Sequence, residues 1–167
     1  MQPPMCAHVN KLDTAGLAPE GSVVTVPLRD RGYGVGVIAR NSGDGILLVY
    51  FFGIRLDAND LPIDWSTIKP SAAIWVRLVG DLGLLNNAWN VIGTVNPWSR
   101  LEWPMPPLAR YVDGIGYYKS FYDDNTLDKI REVRITETEA KQFWEDGMSG
   151  YVAAEIALTK RLSRLAP

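Results

Sequence analysis

Hydrophobic residues alternate with other residues over much of the chain up to residue 95, with the period of two that is typical of β-strands. Clusters of glycine, asparagine and aspartate separate the alternating segments and favour turns. Five strands are predicted on this basis: residues 21–28, 33–40, 46–52, 73–79 and 89–95. The third is apolar on both faces, which is typical of a central strand. Gly34 and Gly36 share one face of the second, so this strand can bend sharply or let a bulky neighbour lie across it.

The last part of the chain carries helical signals. Thr136 and Glu139 have the spacing of a capping box, which predicts a short helix that runs to about Trp144, with Gly147 as its stop. Ser149 is expected to cap a second helix that continues to about residue 165. The apolar residues of this second helix recur at helical spacing: Tyr151, Ala154, Leu158, Leu162 and Leu165.

The order of these elements predicts the fold class. Residues 129–135 add a weaker sixth strand pattern, and four prolines keep residues 96–108 in an extended path. Strands followed by helices indicate an α+β fold: a bent, mostly antiparallel sheet of about five or six strands, or a partly closed SH3-like barrel, with two C-terminal helices. At 167 residues the chain has the size of one domain, which we place at residues 21–167 after a flexible leader of residues 1–20.

Charge and composition argue against several classes of function. The 17 basic and 19 acidic residues give a net charge of -2, so no broad cationic face is expected to bind nucleic acid. No apolar run reaches the length of about 18 residues that a membrane span needs, so we predict a soluble, cytoplasmic protein. A single cysteine, Cys6, and a single histidine, His8, can form neither an intramolecular disulfide nor a Cys/His zinc site.

Carboxylates are the remaining candidates for chemistry. With its one histidine in the leader, an enzyme of this sequence would depend on acidic residues in loops. The candidates are Asp57, Asp60, Asp64, Asp123, Asp124 and Asp128. The spacing of the first three lacks the central glycine and the closing glutamate of a calcium-binding loop. We therefore expect solvated loop acids, no metal, no cofactor and no enzymatic activity, and a carboxylate hydrolase stays as a third alternative.

Tryptophan is unusually frequent in this chain. Five of the six tryptophans lie close together in the sequence: Trp65, Trp75, Trp89, Trp98 and Trp103. Indole rings that cluster in this way build either a core or a binding cage, and we expect a core in a β-rich domain of this size. Trp98 and Trp103 lie in the proline-rich segment and would serve as interface anchors if they are exposed.

Three segments combine glycine, valine and aromatic residues in a distinctive way. They are Val-Thr-Val-Pro-Leu at residues 24–28 after Gly21, Gly-Tyr-Gly-Val-Gly-Val at residues 32–37, and Trp-Asn-Val-Ile-Gly at residues 89–93. Together they resemble the immunity-protein family of bacterial polymorphic toxin systems that is numbered twenty-six, over residues 21–106. The resemblance implies a small cytoplasmic protein that binds and neutralises a cognate toxin delivered by a neighbouring cell.

A stoichiometric inhibitor needs a rigid scaffold and a surface complementary to its target. We place this surface on the acidic loop of residues 55–65, which would complement a cationic nuclease active site, and on the tryptophans. The predicted partner-binding residues are Arg55, Asp57, Asp60, Asp64, Trp65, Trp98 and Trp103. Asp123 and Asp124 extend the patch if the fold brings them near. The main alternative is a small-barrel recognition module whose aromatic cage binds a peptide or a cationic ligand.

Overall fold

The computed structural model describes residues 14–58 and 64–165. Within these residues, ten strands form one six-stranded and one four-stranded sheet. The strands are β1 (Ser22–Pro27), β2 (Tyr33–Asn41), β3 (Ile46–Leu56), β4 (Ala73–Gly80), β5 (Asn90–Thr94), β6 (Leu108–Val112), β7 (Gly116–Tyr122), β8 (Lys129–Ile135), β9 (Trp144–Glu145) and β10 (Met148–Ser149). The α-helices are α1 (Leu82–Leu85), α2 (Glu137–Ala140) and α3 (Tyr151–Leu165), and 3-10 turns form at Trp65–Thr67 and Pro70–Ala72. The predicted α+β class is confirmed.

The six-stranded sheet contains all five strands that the alternating pattern predicts. Its order is β10-β4-β3-β2-β1-β5, and its strands are antiparallel except where β10 joins β4. Irregularities in the pairing of β1, β2 and β3 bend the sheet, which stays open and does not close into a barrel. Alternate residues of β3 enter two separate cores: Leu48, Tyr50 and Phe52 the first, Leu47, Val49 and Phe51 the second. The predicted central strand is therefore confirmed.

Helix α3 covers one face of the six-stranded sheet. Three residues of the predicted stripe are buried, Ala154, Leu158 and Leu162, whereas Tyr151 is half-buried and Leu165 is exposed. Gly34 lets the helix approach the sheet, because a Cβ at this position would lie 2.5 Å from Cδ2 of Leu158. Glu155 on the same helix is buried, accepts a hydrogen bond from Trp89 Nε1 at 3.0 Å, and pairs with Arg29. Both apolar and polar contacts thus attach the helix to the strands.

The opposite face of this sheet carries the first core, which is closed by residues 96–107, here called the arc. Trp103 of the arc is 1% exposed and lies among three other aromatic rings. The ring centroids of Tyr50, Trp98 and Phe52 are 5.2, 5.6 and 6.0 Å from that of Trp103. The arc contains neither helix nor strand, as its prolines predict.

The four-stranded sheet follows the arc and has the order β8-β7-β6-β9. Strand β8 coincides with the weaker predicted pattern, whereas β6 and β7 were not predicted. Residues 144–149, here called the crossing segment, belong to both sheets. The first two residues of this segment pair with β6 as β9, and the last two pair with β4 as β10. The sequence pattern predicted one sheet, and the structure adds a second beside it.

Helix α2 begins at the predicted capping box. Thr136 Oγ1 accepts the Glu139 N–H at 3.1 Å, and Glu139 Oε2 accepts the Thr136 N–H at 2.8 Å. The helix ends at Ala140, so the prediction that it reaches Trp144 is wrong, because Trp144 and Glu145 pair with β6 instead. None of the helices in the described part of the chain is long and apolar enough to cross a membrane.

Residues 14–20, at the end of the predicted leader, pack against the six-stranded sheet. Ala18 is fully buried, and its carbonyl accepts a hydrogen bond from Asn41 Nδ2 at 3.1 Å. Thr14 Oγ1 donates to Asp81 Oδ2 at 2.8 Å. The rest of the predicted leader, with Cys6 and His8, lies outside the described residues, and the division of the chain into leader and domain stays a prediction.

Candidate partner-binding surfaces

Arg55, near the end of β3, is held in place by the turn between β1 and β2. Its guanidinium donates to both carboxylate oxygens of Asp30, at 2.8 and 3.1 Å, and to the Arg31 carbonyl at 2.7 Å. The hydrogen bond from Arg55 is the main cause that lowers the pKa of Asp30 to about 2. Arg55 therefore presents its charge in a fixed orientation at the surface.

Replacing Arg55 by methionine tests this pairing. The pKa of Asp30 should rise from about 2 toward 3.8, and part of the shift should remain because the Arg31 N–H still donates to the carboxylate. Since the folded-state pKa is the lower one, the pair stabilises the fold above about pH 4, and this contribution is lost as the pH falls toward about 2. NMR titration of Asp30 measures the pKa. Arg31→Met is the control and should leave it unchanged; an unchanged pKa in Arg55→Met would contradict the pairing.

The predicted acidic patch is interrupted by basic side chains. Asp57 is 92% exposed and lies 3.9 Å from the Arg31 guanidinium. Asp64 accepts the Ser66 N–H at 2.9 Å, which caps the 3-10 turn. Hydrogen bonding by the Ser66 side chain, and then by this N–H, lowers the pKa of Asp64. Asp60 lies outside the described residues. We call the charged groups of the β1–β2 turn, the end of β3 and the loop that follows it the loop surface: Asp30, Arg31, Arg55, Asp57 and Asp64. This surface carries charges of both signs.

The three tryptophans predicted to bind a partner differ in exposure. Trp65 is buried and covers Gly93, where a Cβ would lie 2.5 Å from the indole Cδ1. Trp103 is a core residue. Trp98 is half-buried, stacks on Trp103 with an angle of 27° between the rings, and donates Nε1 to Glu20 at 3.4 Å. Of these three tryptophans, Trp98 is the one that is partly exposed to solvent, whereas Trp65 and Trp103 belong to the first core.

A buried arginine fixes the arc to the six-stranded sheet. Arg40 is 2% exposed, and it donates Nη1 to the Trp103 carbonyl and Nε to Asp124 Oδ1, both at 2.9 Å. Arg100 of the arc pairs with Glu20 at 2.9 Å and also donates to the Asp124 carbonyl at 2.9 Å. The carboxylate of Asp124 is thus committed to two arginines. This network holds the backbone that carries Trp98.

A pocket of about 410 Å³ opens between β6, β7, α2 and the start of the crossing segment. We call it the tyrosine pocket. Its lining includes Tyr111, Tyr117, Glu137, Lys141, Phe143 and Glu145. The rings of Tyr111 and Tyr117 lie with centroids 4.9 Å apart and planes tilted by 50°, and Tyr111 is 57% exposed. The pocket has the aromatic walls that the alternative of a recognition module predicts.

The charged groups beneath the tyrosine pocket are paired with one another. Arg110 makes two hydrogen bonds to Glu132, at 2.6 and 2.9 Å, and is the main cause that lowers the pKa of Glu132 to about 2. Asp146, whose side chain is 2% exposed, accepts from Ser120 at 2.7 Å and from Lys129 at 3.0 Å. The charges left at the rim are those of Glu137, Lys141 and Glu145, which form no ion pair within residues 14–58 and 64–165.

The family comparison covers the first sheet and the start of the second. The family model described as Immunity protein 26 matches residues 19–120, which is more than half of the chain. The chain belongs to this immunity-protein family. No curated protein and no solved structure matches the chain. The matched range of this immunity protein includes the arc and both pocket tyrosines, whereas the Glu137, Phe143 and Glu145 side of the pocket lies beyond it.

Two features of this immunity protein, the tyrosine pocket and the burial of Arg40, were not predicted from its sequence. Residues 108–112 and 117–122 contain tyrosines and other strand-favouring residues on either side of Asp113-Gly114, which is the local signal that could have predicted this hairpin. Arg40 occupies an ordinary strand position, so its burial has no local signal. Among the residues described, no three His, Cys, Asp or Glu side chains lie close enough together to hold a metal ion.

Proposed function

We propose that this protein neutralises a cognate toxin by binding it in a stoichiometric complex, without covalent chemistry of its own. The observation that carries the proposal is the match of the Immunity protein 26 family model to residues 19–120. The proposed place of action is the cytoplasm of the cell that makes the protein, where an incoming toxin would act. The two-core sheet supports this role, because a binder needs a fixed scaffold more than a reactive group.

The loop surface is the part of the molecule that we propose to meet the toxin first. Asp57 is almost fully exposed and can attract a cationic active site, while Arg55 is fixed by Asp30 and can donate a fork of hydrogen bonds. Asp60 and Asp64 add negative charge to the same loop. Trp98 would add a half-buried aromatic contact, with Trp65 and Trp103 fixing the backbone below. A surface with charges of both signs determines how a partner is oriented as well as how fast it associates.

Co-expression with toxins encoded near the gene in the source genome tests the proposed function. We expect that one toxin arrests growth alone, that this protein restores growth, and that the two purify together in equal amounts. Failure to restore growth against every neighbouring toxin would contradict the proposal. The contribution of the loop surface to toxin binding is then measured separately, with variants of its acidic residues.

Reversal of Asp57, Asp60 and Asp64 to lysine should weaken the toxin complex by about tenfold or more, because like charges would then face a cationic site. The loss should appear mainly in the association rate and should shrink at high salt. The matched control reverses three exposed acids elsewhere, Glu102, Asp113 and Asp128, with the same change in net charge. Surface plasmon resonance on folded variants measures the rates. Equal effects of the two triple variants would remove the loop surface from the binding site.

A further inference from the structure

Strand β6 has an open edge beside the tyrosine pocket. The strand pairs with β7 over its whole length, but with β9 only at its first two residues. The Ala109 carbonyl accepts the Asp146 N–H at 2.7 Å, so the backbone groups of Ala109 point toward the crossing segment. Alternate residues of a strand point their backbone groups the same way, so the N–H and C=O of Tyr111 point past the end of β9. Within the described chain, neither has a backbone partner on that side.

The side chains next to this edge form the wall of the pocket. Tyr111 lies opposite Tyr117 in the β6–β7 pairing, and Glu145 lies beside Ala109 in the pairing with β9. An added strand would therefore direct every second side chain into the pocket. The open edge and the pocket are separate observations that indicate the same kind of occupant, an extended peptide segment.

The chemistry of the pocket favours a basic side chain on that segment. The faces of aromatic rings carry negative potential, and Tyr111, Tyr117 and Phe143 supply three of them. Phe143 already binds a cation of the chain itself, because Lys119 Nζ lies 4.5 Å from its ring centroid. Among the charged side chains that line the pocket, the three acids Glu137, Glu145 and Asp146 outnumber the two bases Arg110 and Lys141. Desolvation, and next the charge of Glu137, raise the pKa of Tyr117, so this carboxylate lies close to the Tyr117 hydroxyl.

We infer that the β6 edge and the tyrosine pocket bind an extended segment of the cognate toxin, which adds a strand at Tyr111 and packs a lysine or arginine side chain against the two tyrosines. This inference rests on the proposed function for the identity of the partner. The site lies on the second sheet and is formed by residues other than those of the loop surface, so the complex would have two contacts. Main-chain hydrogen bonds give such a contact its affinity, and the pocket gives it selectivity for charge.

A peptide titration tests the site without the toxin. The probe is the acetylated and amidated peptide Thr-Val-Thr-Lys-Thr-Val-Thr, and the matched peptides carry norleucine or glutamate at the centre. In ¹⁵N NMR spectra of the full chain, we expect shifts of the Tyr111 amide and of residues around the pocket, with a Kd on the order of 0.1–1 mM. The lysine peptide should bind about tenfold more tightly than the glutamate peptide.

One protein variant and one modified peptide distinguish strand addition from non-specific peptide binding. Glu137→Lys, at an exposed position of α2, should weaken the lysine peptide about tenfold and strengthen the glutamate peptide. N-methylation of the peptide amides should abolish binding, and it leaves the protein unaltered. Peptide binding that is indifferent to the central charge, or an unshifted Tyr111 amide at millimolar peptide, would overturn the inference. So would shifts of the same amides on raising the protein concentration alone, because a second copy would then occupy the edge.

The toxin assay distinguishes failure of this inference from failure of the proposed function. If the unaltered protein restores growth and Glu137→Lys does so equally with an unchanged toxin affinity, the pocket is not part of the complex and the proposed function stands. If the unaltered protein restores growth against no toxin, the proposed function fails, and the peptide titration still decides whether the edge binds a basic segment. A toxin affinity that falls about tenfold in Glu137→Lys supports both.

Discussion

Trp103→Ala should lower the free energy of unfolding by about 3–5 kcal/mol, as is usual when a large aromatic ring is removed from a core. The indole is 1% exposed and touches the rings of Tyr50, Phe52 and Trp98, so its loss leaves a cavity between the arc and the six-stranded sheet. Urea unfolding followed by circular dichroism measures the change. Toxin binding should weaken as well, because Trp98 loses the ring on which it stacks.

Leu101→Ala is the matched control for this substitution. Leu101 lies two residues earlier in the same arc and is 94% exposed, so its truncation should change the free energy of unfolding by less than about 0.5 kcal/mol. If the two variants were equally stable, Trp103 would not lie in the core and the placement of the arc would be wrong.

Arg40→Met should lower the free energy of unfolding by about 2–3 kcal/mol, although methionine keeps much of the apolar stem. The loss arises because the Trp103 carbonyl would be left without its donor inside the protein, and Asp124 would lose its buried partner. Arg40→Lys should recover only part of the stability, since one ammonium group cannot reproduce the planar fork of the guanidinium. The same urea experiment measures both variants.

Arg31→Met serves as the control for Arg40→Met. The Arg31 side chain is 76% exposed, and its contact with Asp57 is long, so we expect a change within about 0.5 kcal/mol. An Arg40→Met protein as stable as the unaltered chain would show that the network around the arc contributes nothing to the fold.

The first sheet could be predicted from the sequence because burial on both of its faces leaves a strong pattern. β3 is apolar at successive positions, since one set of side chains enters each core, and its neighbours alternate or carry glycine where α3 approaches at Gly34. These are local consequences of packing, so a local pattern reveals them. The capping box at Thr136 could be predicted for the same reason, since all of its hydrogen bonds lie within four consecutive residues.

The second sheet left a much weaker pattern. β7 holds tyrosines and a lysine at half-buried positions and a polar serine at its buried one, and β6 has only five residues, so neither resembles a core strand. The pairing of β6 with the two-residue strand β9 depends on a contact between Leu108 and Trp144, which lie far apart in the chain. Local strand propensity carries no information about such a long-range contact. The capping box at Thr136 instead suggested a helix that would include Trp144.

The candidate site likewise has a part that could be predicted from the sequence and a part that depends on tertiary contacts. Asp57 and Asp64 were found from the sequence because exposed loop acids follow from composition and turn signals. The pairing of Arg55 with Asp30 was not, since Asp30 lies in the turn between β1 and β2 and Arg55 lies on β3, and the two meet only when β2 and β3 pair. The burial of Trp65 and Trp103 is equally a property of the assembled cores.

The crossing segment has a consequence for the entropy of complex formation. Two backbone connections join the sheets, and each is held by a buried charge, Arg40 at the arc and Asp146 within the crossing segment. The loop surface and the tyrosine pocket therefore keep one mutual geometry before any partner arrives. A toxin that binds both would not have to restrict a relative motion of the two sheets, so the loss of conformational entropy for the second contact occurs during folding and not during binding.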